Sequence, residues 1–81
     1  MANLIPWENL IPGMTVWEEC KWSDVAKSII RADVIGRLET GVLMHYHLRF
    51  TEYAETRKAS SEIRYWDAEP TLDEREGAPW E

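Results

Sequence analysis

Two histidines separated by one residue are the first candidates for chemistry in this sequence. His45 and His47 would project from one face of a strand, about 6.6 Å apart by strand rise. Imidazoles at this spacing can bind a zinc ion if a third ligand comes from a neighbouring strand, and Glu39 and Glu52 are the candidates. A His-x-His pair without a closed ligand set is more typical of a solvated strand face. The sequence therefore predicts no metal and no cofactor.

Arginines extend the same predicted face. Arg49 lies two residues after His47, and Arg31 and Arg37 lie on the preceding strand. Guanidinium groups suit phosphate or carboxylate ligands, although ordinary surface ion pairs with acids of neighbouring strands are the alternative. Tryptophan side chains could add aromatic stacking. The predicted ligand-binding residues are Trp17, Arg31, Arg37, His45, His47, Arg49 and Trp66.

Catalysis has little support in the sequence. Cys20 is the single cysteine, and it could be paired with either histidine as a nucleophile, but no characteristic sequence surrounds it. A lone cysteine is most often a small buried hydrophobic residue, and its lack of a partner fits a reducing, cytoplasmic setting. The four glycines are too far apart to form a phosphate-binding loop. We therefore expect no catalytic residue and no enzymatic activity.

The negative charge is concentrated at one end of the chain. Six acids and one arginine give residues 67–81 a formal charge of −5, which leaves −1 of the net charge of −6 for residues 1–66. The near-neutral part need not repel an anionic ligand. The acidic tail is either a solvated capping helix or a mimic of nucleic-acid phosphates that a basic groove on a partner protein would bind. Direct binding of nucleic acid is not expected.

Strands are the main elements that would position these residues. Val42, Met44, Tyr46, Leu48 and Phe50 alternate with more polar residues, which predicts one long strand with a single apolar face. Residues 30–38 alternate in the same way, with Ile30, Ala32, Val34 and Leu38 on one side. Between these strands, Glu39-Thr40-Gly41 predicts a tight hairpin turn in which Gly41 takes a positive φ. Residues 14–20 and 62–66 predict two further strands.

The other segments are less regular. Residues 21–30 are either a short helix capped by Ser23 or a loop from which a strand begins at Ser28. Residues 51–61 predict a loop or a short helix. The sequence Thr71-Leu72-Asp73-Glu74 matches a capping box, and Gly77 and Pro79 end the short helix that it begins.

Together these elements predict a single domain over residues 1–81. It comprises an apolar N-terminal arm (1–13), a β-rich body (14–66) and an acidic C-terminal tail with a short helix (67–81). The fold class is β-rich α+β, either a small twisted antiparallel sheet or an SH3-like partly open barrel; a sheet with one packed helix is the alternative. Trp7 and Trp80 would close the two ends of the core or insert into a neighbouring subunit. No signal peptide or membrane-spanning run is expected, and the small core favours a homo-oligomer.

The two ends of the chain resemble a group of small phage proteins. The segments PWENLIPGMTVWEE (6–19) and RYWDAEPTLDEREGAPWE (64–81) are similar to the ends of short phage and prophage accessory proteins, whereas residues 21–61 show little likeness. The resemblance implies an accessory phage function in the bacterial cytoplasm, inhibitors of bacterial defence among them. We therefore expect an oligomeric, non-enzymatic anti-defence protein that sequesters a nucleotide-like signal. The alternative is an inhibitor of the anti-CRISPR type that binds a host defence protein through its acidic tail.

Overall fold

The computed structural model describes residues 1–21 and 29–80, which form an open antiparallel sheet. The strands are β1 (Leu4–Ile5), β2 (Thr15–Cys20), β3 (Ile29–Leu38), β4 (Gly41–His47), β5 (Glu52–Arg57) and β6 (Ile63–Trp66). Their spatial order is β1-β6-β2-β3-β4-β5, so β1 and β5 are the two edges. A 3₁₀ turn (Trp7–Asn9) and one helix, α1 (Leu72–Gly77), complete the fold. The predicted β-rich fold class is confirmed: the sheet is antiparallel and does not close into a barrel.

One face of the sheet, the core face, is apolar and buried. It is formed by Val16, Ala32, Val34, Val42, Met44, Tyr46 and Tyr65, each at most 3% exposed. The N-terminal arm covers this face, because Leu10 is fully buried and Ile5 and Trp7 pack against the same cluster. Leu4 and Ile11 remain 42% and 55% exposed. The arm contains two apolar pairs, Leu4-Ile5 and Leu10-Ile11. In each pair one residue packs on the core face, Ile5 in the first and Leu10 in the second.

The predicted hairpin between β3 and β4 is confirmed. Leu38 lies opposite Gly41, which leaves Glu39 and Thr40 as the turn. Gly41 has a φ of +146°, and a Cβ atom at this position would lie 2.2 Å from the carbonyl oxygen of Arg57. Glycine is therefore required both by the backbone conformation and by the close approach of β5.

A β-bulge at Ile35 changes the second half of β3. Val34 lies opposite Met44, but Gly36 is the next residue in register, opposite Leu43. Because side chains alternate between the two faces, one extra residue moves everything after it to the other face. The expectation that Leu38 shares the apolar face of Val34 is therefore wrong, and Leu38 is 53% exposed.

Two predictions after β4 are also wrong. The alternation of apolar residues runs on to Phe50, but the strand ends at His47, and Leu48 and Phe50 are 42% and 89% exposed. The amide of Leu48 donates to the carbonyl of Thr51 in the connection to β5. Residues 52–57, predicted as loop or helix, form the edge strand β5. Five of its six residues are exposed, so its sequence shows no alternation of apolar and polar residues. Of the segment predicted as helix or loop over residues 21–30, residues 22–28 lie outside the described residues.

Helix α1 begins with the predicted capping box. The Glu74 amide donates to the Thr71 hydroxyl over 3.1 Å, and the Glu74 carboxylate accepts the Thr71 amide over 2.9 Å. The same carboxylate accepts the Ala2 amide over 2.7 Å, and Asp67 accepts the Asn3 amide over 2.7 Å. These backbone hydrogen bonds lower the pKa of Glu74 and of Asp67. The acidic tail is therefore bound to the N-terminal arm. Within the described part of the chain, no helix has the length and apolarity needed to cross a membrane.

Candidate functional site

The sheet surface opposite the core face, here called the open face, brings together three of the predicted ligand-binding residues. Trp17 on β2 lies opposite Arg31 on β3, which in turn lies opposite His47 on β4. Each alternates with a buried core residue of its own strand, so the three side chains project from the same surface. Antiparallel register therefore places an indole, a guanidinium and an imidazole in one row across adjacent strands.

Two histidines and two acids form a cluster beside this row. The histidine cluster consists of His45, His47, Asp33 and Glu52. The Nε2 atom of His47 lies 2.7 Å from the Asp33 carboxylate, and the two imidazole centroids are 4.6 Å apart. A Glu52 oxygen lies 3.5 Å from Nε2 of His45 and 3.6 Å from Nδ1 of His47. Of the acids considered from the sequence as ligands, Glu52 belongs to the cluster and Glu39 lies in the exposed turn.

Asp33 was not recognised from the sequence as a member of this cluster. It lies directly opposite His45 in the register of β3 and β4. Its carboxylate also accepts a hydrogen bond of 2.8 Å from the Thr15 hydroxyl on β2. The hydrogen bonds from His47 and Thr15 lower the pKa of Asp33. Correct pairing of the two strands would have identified Asp33, but the pairing depends on counting back from the Gly41 turn across the bulge.

Arg37 does not belong to the open face, contrary to the prediction. The bulge turns its side chain to the opposite surface, where its guanidinium donates to the carbonyl oxygens of Trp7 and Leu10 over 3.0 and 2.8 Å. The guanidinium also lies 5.6 Å from the centre of the Trp7 ring. Arg37 therefore fixes the N-terminal arm to the sheet.

Two other predicted residues do not join the row as expected. Trp66 lies opposite Trp17 but is only 2% exposed, so its ring is not available for stacking with a ligand. Its indole N–H donates to Glu19 over 2.9 Å. Arg49 follows the end of β4, with its guanidinium 5.2 Å from the centre of the Phe50 ring.

Two buried carboxylates on β2, Glu18 and Glu19, were not expected from the sequence. Glu18 is 1% exposed on the core face, where the Tyr46 and Tyr65 hydroxyls donate to it over 2.5 and 3.2 Å. Arg57 lies 3.4 Å from the same carboxylate and donates to the Tyr46 hydroxyl over 2.6 Å. Burial, followed by the interactions with Glu18, raises the pKa of both tyrosines. Glu18 lies two residues after the apolar Val16 on β2. Since side chains of a strand alternate between its faces, this spacing is the signal in the sequence that Glu18 faces inward.

Glu19 is buried on the other side of the sheet. Its carboxylate accepts hydrogen bonds of 2.7 Å from Arg64 and 3.1 Å from Arg75, in addition to that from Trp66. Burial on its own would raise the pKa of Glu19, but these hydrogen bonds outweigh it and lower the pKa. Arg64 also donates to the carbonyl oxygens of Arg75 and Ala78 at the end of α1. Glu19 and Arg64 thus attach the helix to the sheet.

Cys20 and the histidines cannot form a nucleophilic pair in this fold. Cys20 lies two residues after Glu18 on β2 and therefore faces the core side, whereas His45 and His47 project from the open face. Burial, with the nearby Glu18 carboxylate, raises the pKa of the thiol to about 11. Near neutral pH the sulfur is therefore almost entirely protonated and a poor nucleophile.

A cleft of about 600 Å³ lies at the β1–β6 edge of the sheet. Trp7 and Trp80, expected to close opposite ends of the core, both line this cleft. Arg64 is the basic side chain among its described lining residues, and its guanidinium lies 4.2 Å from the centre of the Trp80 ring. Because Arg64 is already bonded to Glu19 and to the end of α1, the cleft offers less to an anion than the open face does.

Comparison of the chain with family models, with curated proteins and with solved structures gives no match.

Proposed function

We propose that this protein is a non-enzymatic binding protein that holds a small nucleotide-like anion on its open face. The observation that carries the proposal is the row of Trp17, Arg31 and His47 on three adjacent strands. Neighbouring strands are about 4.8 Å apart, so the three side chains span the distance between the base and the phosphate of a nucleotide. The half-buried Trp17 indole offers a stacking surface.

Arg31 supplies the positive charge in this proposal. Its side chain is exposed, and among residues 1–21 and 29–80 it forms no ion pair within 4 Å. A guanidinium in this state can bind phosphate oxygens with two parallel hydrogen bonds. His47 would add a hydrogen-bonding group from the next strand. The ligand is held without turnover in this proposal, which the position of Cys20 on the core side of β2, away from the open face, supports.

The biological setting of the proposal comes from the ends of the chain. Their resemblance to phage accessory proteins supports an anti-defence function, in which the protein sequesters a nucleotide signal in the bacterial cytoplasm. We further propose that the protein is a homo-oligomer. The open edge of β5 supports this, because an edge strand presents backbone groups that a second copy can pair with.

Native mass spectrometry of the purified full chain, with thermal shifts for a panel of linear and cyclic nucleotides, tests the proposal. We expect an oligomer and a nucleotide that raises Tm by several degrees. The shift should be lost in Arg31→Ala and Trp17→Ala and kept in Lys58→Ala, which removes an exposed cation after β5. A protein whose Tm responds to no nucleotide, or responds equally in Arg31→Ala and Lys58→Ala, would contradict the proposal.

The alternative function is inhibition of a host defence protein by the acidic tail. Asp73 and Glu76 favour it, because both are exposed and lie three residues apart on one side of α1. Deleting residues 71–81 is a poor test, since it also removes Arg75 from the buried Glu19. Charge reversal by Asp73→Lys with Glu76→Lys leaves that contact intact. Inhibition that survives this double change at low salt would exclude the tail as a nucleic-acid mimic.

A further inference from the structure

We propose that Asp33, His45 and His47 form a binding site for a first-row divalent cation, with Zn²⁺ as the best fit. One ligand atom from each of these residues can be chosen so that all three lie within 4.8 Å of one another. The residues belong to two paired strands, so the backbone of the sheet fixes their relative positions. The cation site shares His47 with the proposed nucleotide site but does not include Trp17 or Arg31, so the two proposals can be tested separately.

The distances are close to those of a coordinated metal. Zinc lies about 2.0–2.1 Å from histidine nitrogen and carboxylate oxygen, which puts tetrahedral ligand atoms about 3.3 Å apart. The spacing of at most 4.8 Å is larger than this value, so in this proposal the side chains rotate towards the metal while the paired strands stay in place. The 2.7 Å hydrogen bond between Asp33 and His47 joins two atoms that would then both bind the metal.

The types of ligand select the class of cation. Two imidazoles and a carboxylate suit zinc and its neighbours in the first transition row, whereas calcium and magnesium prefer oxygen ligands alone. The histidine cluster carries two acids, and Arg31 is the nearby positive group on the open face. With neutral imidazoles, the two acids and Arg31 together carry a net negative formal charge. Binding of a divalent cation would make this sum positive. The open face would then attract anions through the metal as well as through Arg31.

A second layer of contacts supports the site. The Thr15 hydroxyl holds the Asp33 oxygen that faces away from His47, the kind of outer contact that orients a metal ligand. Glu52 lies within 3.6 Å of both imidazoles, and its side chain is 63% exposed, so it can move to a fourth position. The imidazoles themselves are 31% and 23% exposed. The arrangement therefore allows a fourth ligand from Glu52, from water or from a bound anion.

The test is a Zn²⁺ titration of the full chain after treatment with a chelator, followed by calorimetry and by the visible spectrum of the Co²⁺ form. We expect one cation per chain with a Kd in the micromolar range or below. Binding should weaken by about tenfold or more in Asp33→Asn and in His47→Gln, and by about tenfold in Thr15→Val. Mg²⁺ and Ca²⁺ should not compete. Glu39→Gln is the matched control, because it removes an exposed acid from the turn of the same hairpin.

Two further measurements keep the result interpretable. Tm and far-UV circular dichroism identify any variant that fails to fold. If a variant does not fold, NMR of the unaltered protein tests the site instead, because Zn²⁺ should shift the imidazole signals of His45 and His47. Arg31→Ala should keep cation binding, which separates this proposal from that of the nucleotide. No binding below about 1 mM, or equal binding by Asp33→Asn, His47→Gln and Glu39→Gln, would overturn the cation site.

Discussion

The carboxylates of β2 and those of the histidine cluster differ in what surrounds them. Glu18 and Glu19 are almost fully buried, and the protein supplies each with hydrogen-bond donors and a cation. Asp33 and Glu52 are 43% and 63% exposed, and their partners are imidazoles, which can also bind a metal. The first pair is occupied in holding the fold together. The second pair remains available to a ligand, and acids of the same type thus have opposite roles within one sheet.

Removing Glu18 should have the largest effect on stability. Glu18→Ala leaves the Tyr46 and Tyr65 hydroxyls without their acceptor and Arg57 without its carboxylate. We expect a loss of about 3–5 kcal/mol in the free energy of unfolding, measured by urea denaturation. Asp33→Ala, the matched change in the histidine cluster, should cost less than about 1 kcal/mol. Similar losses in the two variants would remove the distinction between the two pairs.

Cys20 offers a chemical test of the core side of β2. Its pKa rises from 9.0 to about 11, so at pH 8 the thiolate fraction, and with it the rate of alkylation by iodoacetamide, falls about a hundredfold. The rate should be compared with that of the same chain unfolded in urea. Equal rates would mean that the thiol is not held beside Glu18 as described.

Replacing Glu19 should have a smaller and pH-dependent effect. Glu19→Gln removes the charge that Arg64 and Arg75 share, at a cost of about 2–3 kcal/mol near neutral pH. The pKa of Glu19 in the folded chain lies below its usual 4.5, so the unfolded chain binds more protons in acid. This stabilisation is therefore complete above about pH 4.5 and is lost as the pH falls through the folded-state pKa.

Urea denaturation across this pH range measures the effect. The acid-induced loss of stability should be shallower in Glu19→Gln than in the unaltered chain. It should not vanish, because the pKa values of Asp33, Asp67 and Glu74 are lowered as well. Identical slopes for the two proteins would show that Glu19 does not contribute.

The two arginines of β3 give the smallest and sharpest contrast. Arg37→Ala removes two hydrogen bonds to the N-terminal arm and should cost about 1–2 kcal/mol. Arg31→Ala should leave stability within about 0.5 kcal/mol and abolish the thermal shift by a nucleotide. Thermal melts with and without ligand measure both effects. The reverse pattern would mean that the bulge has been assigned to the wrong position.

Local patterns predicted the centre of the sheet and one helix end. The alternation in β4 correctly separates Met44 and Tyr46 from His45 and His47, and the Thr71 capping box requires only its own four residues. Such signals act over a few residues, so they are visible in the sequence. They also identified three members of the open-face row, because their strands were assigned correctly.

The remaining features depend on contacts between distant residues. Burial of Glu19 requires Arg64 and Arg75, which are 45 and 56 residues away in sequence. Trp66 was expected to stack on a ligand, but its ring is buried and its indole N–H donates to the Glu19 carboxylate. The edge strand β5 has no apolar alternation of its own. Acids, tryptophans and polar strands were therefore misjudged wherever their partners come from another part of the chain.

The bulge at Ile35 takes up one extra residue of β3 and thereby keeps Arg37 on the core face. Loss of the single codon for Ile35 would remove that residue and leave Gly36 opposite Leu43 and Arg37 opposite Val42 in uninterrupted alternation. Arg37 would therefore keep its hydrogen bonds to the N-terminal arm. An in-frame deletion within a strand normally moves every later side chain to the other face, but at this one position we expect the sheet to tolerate it.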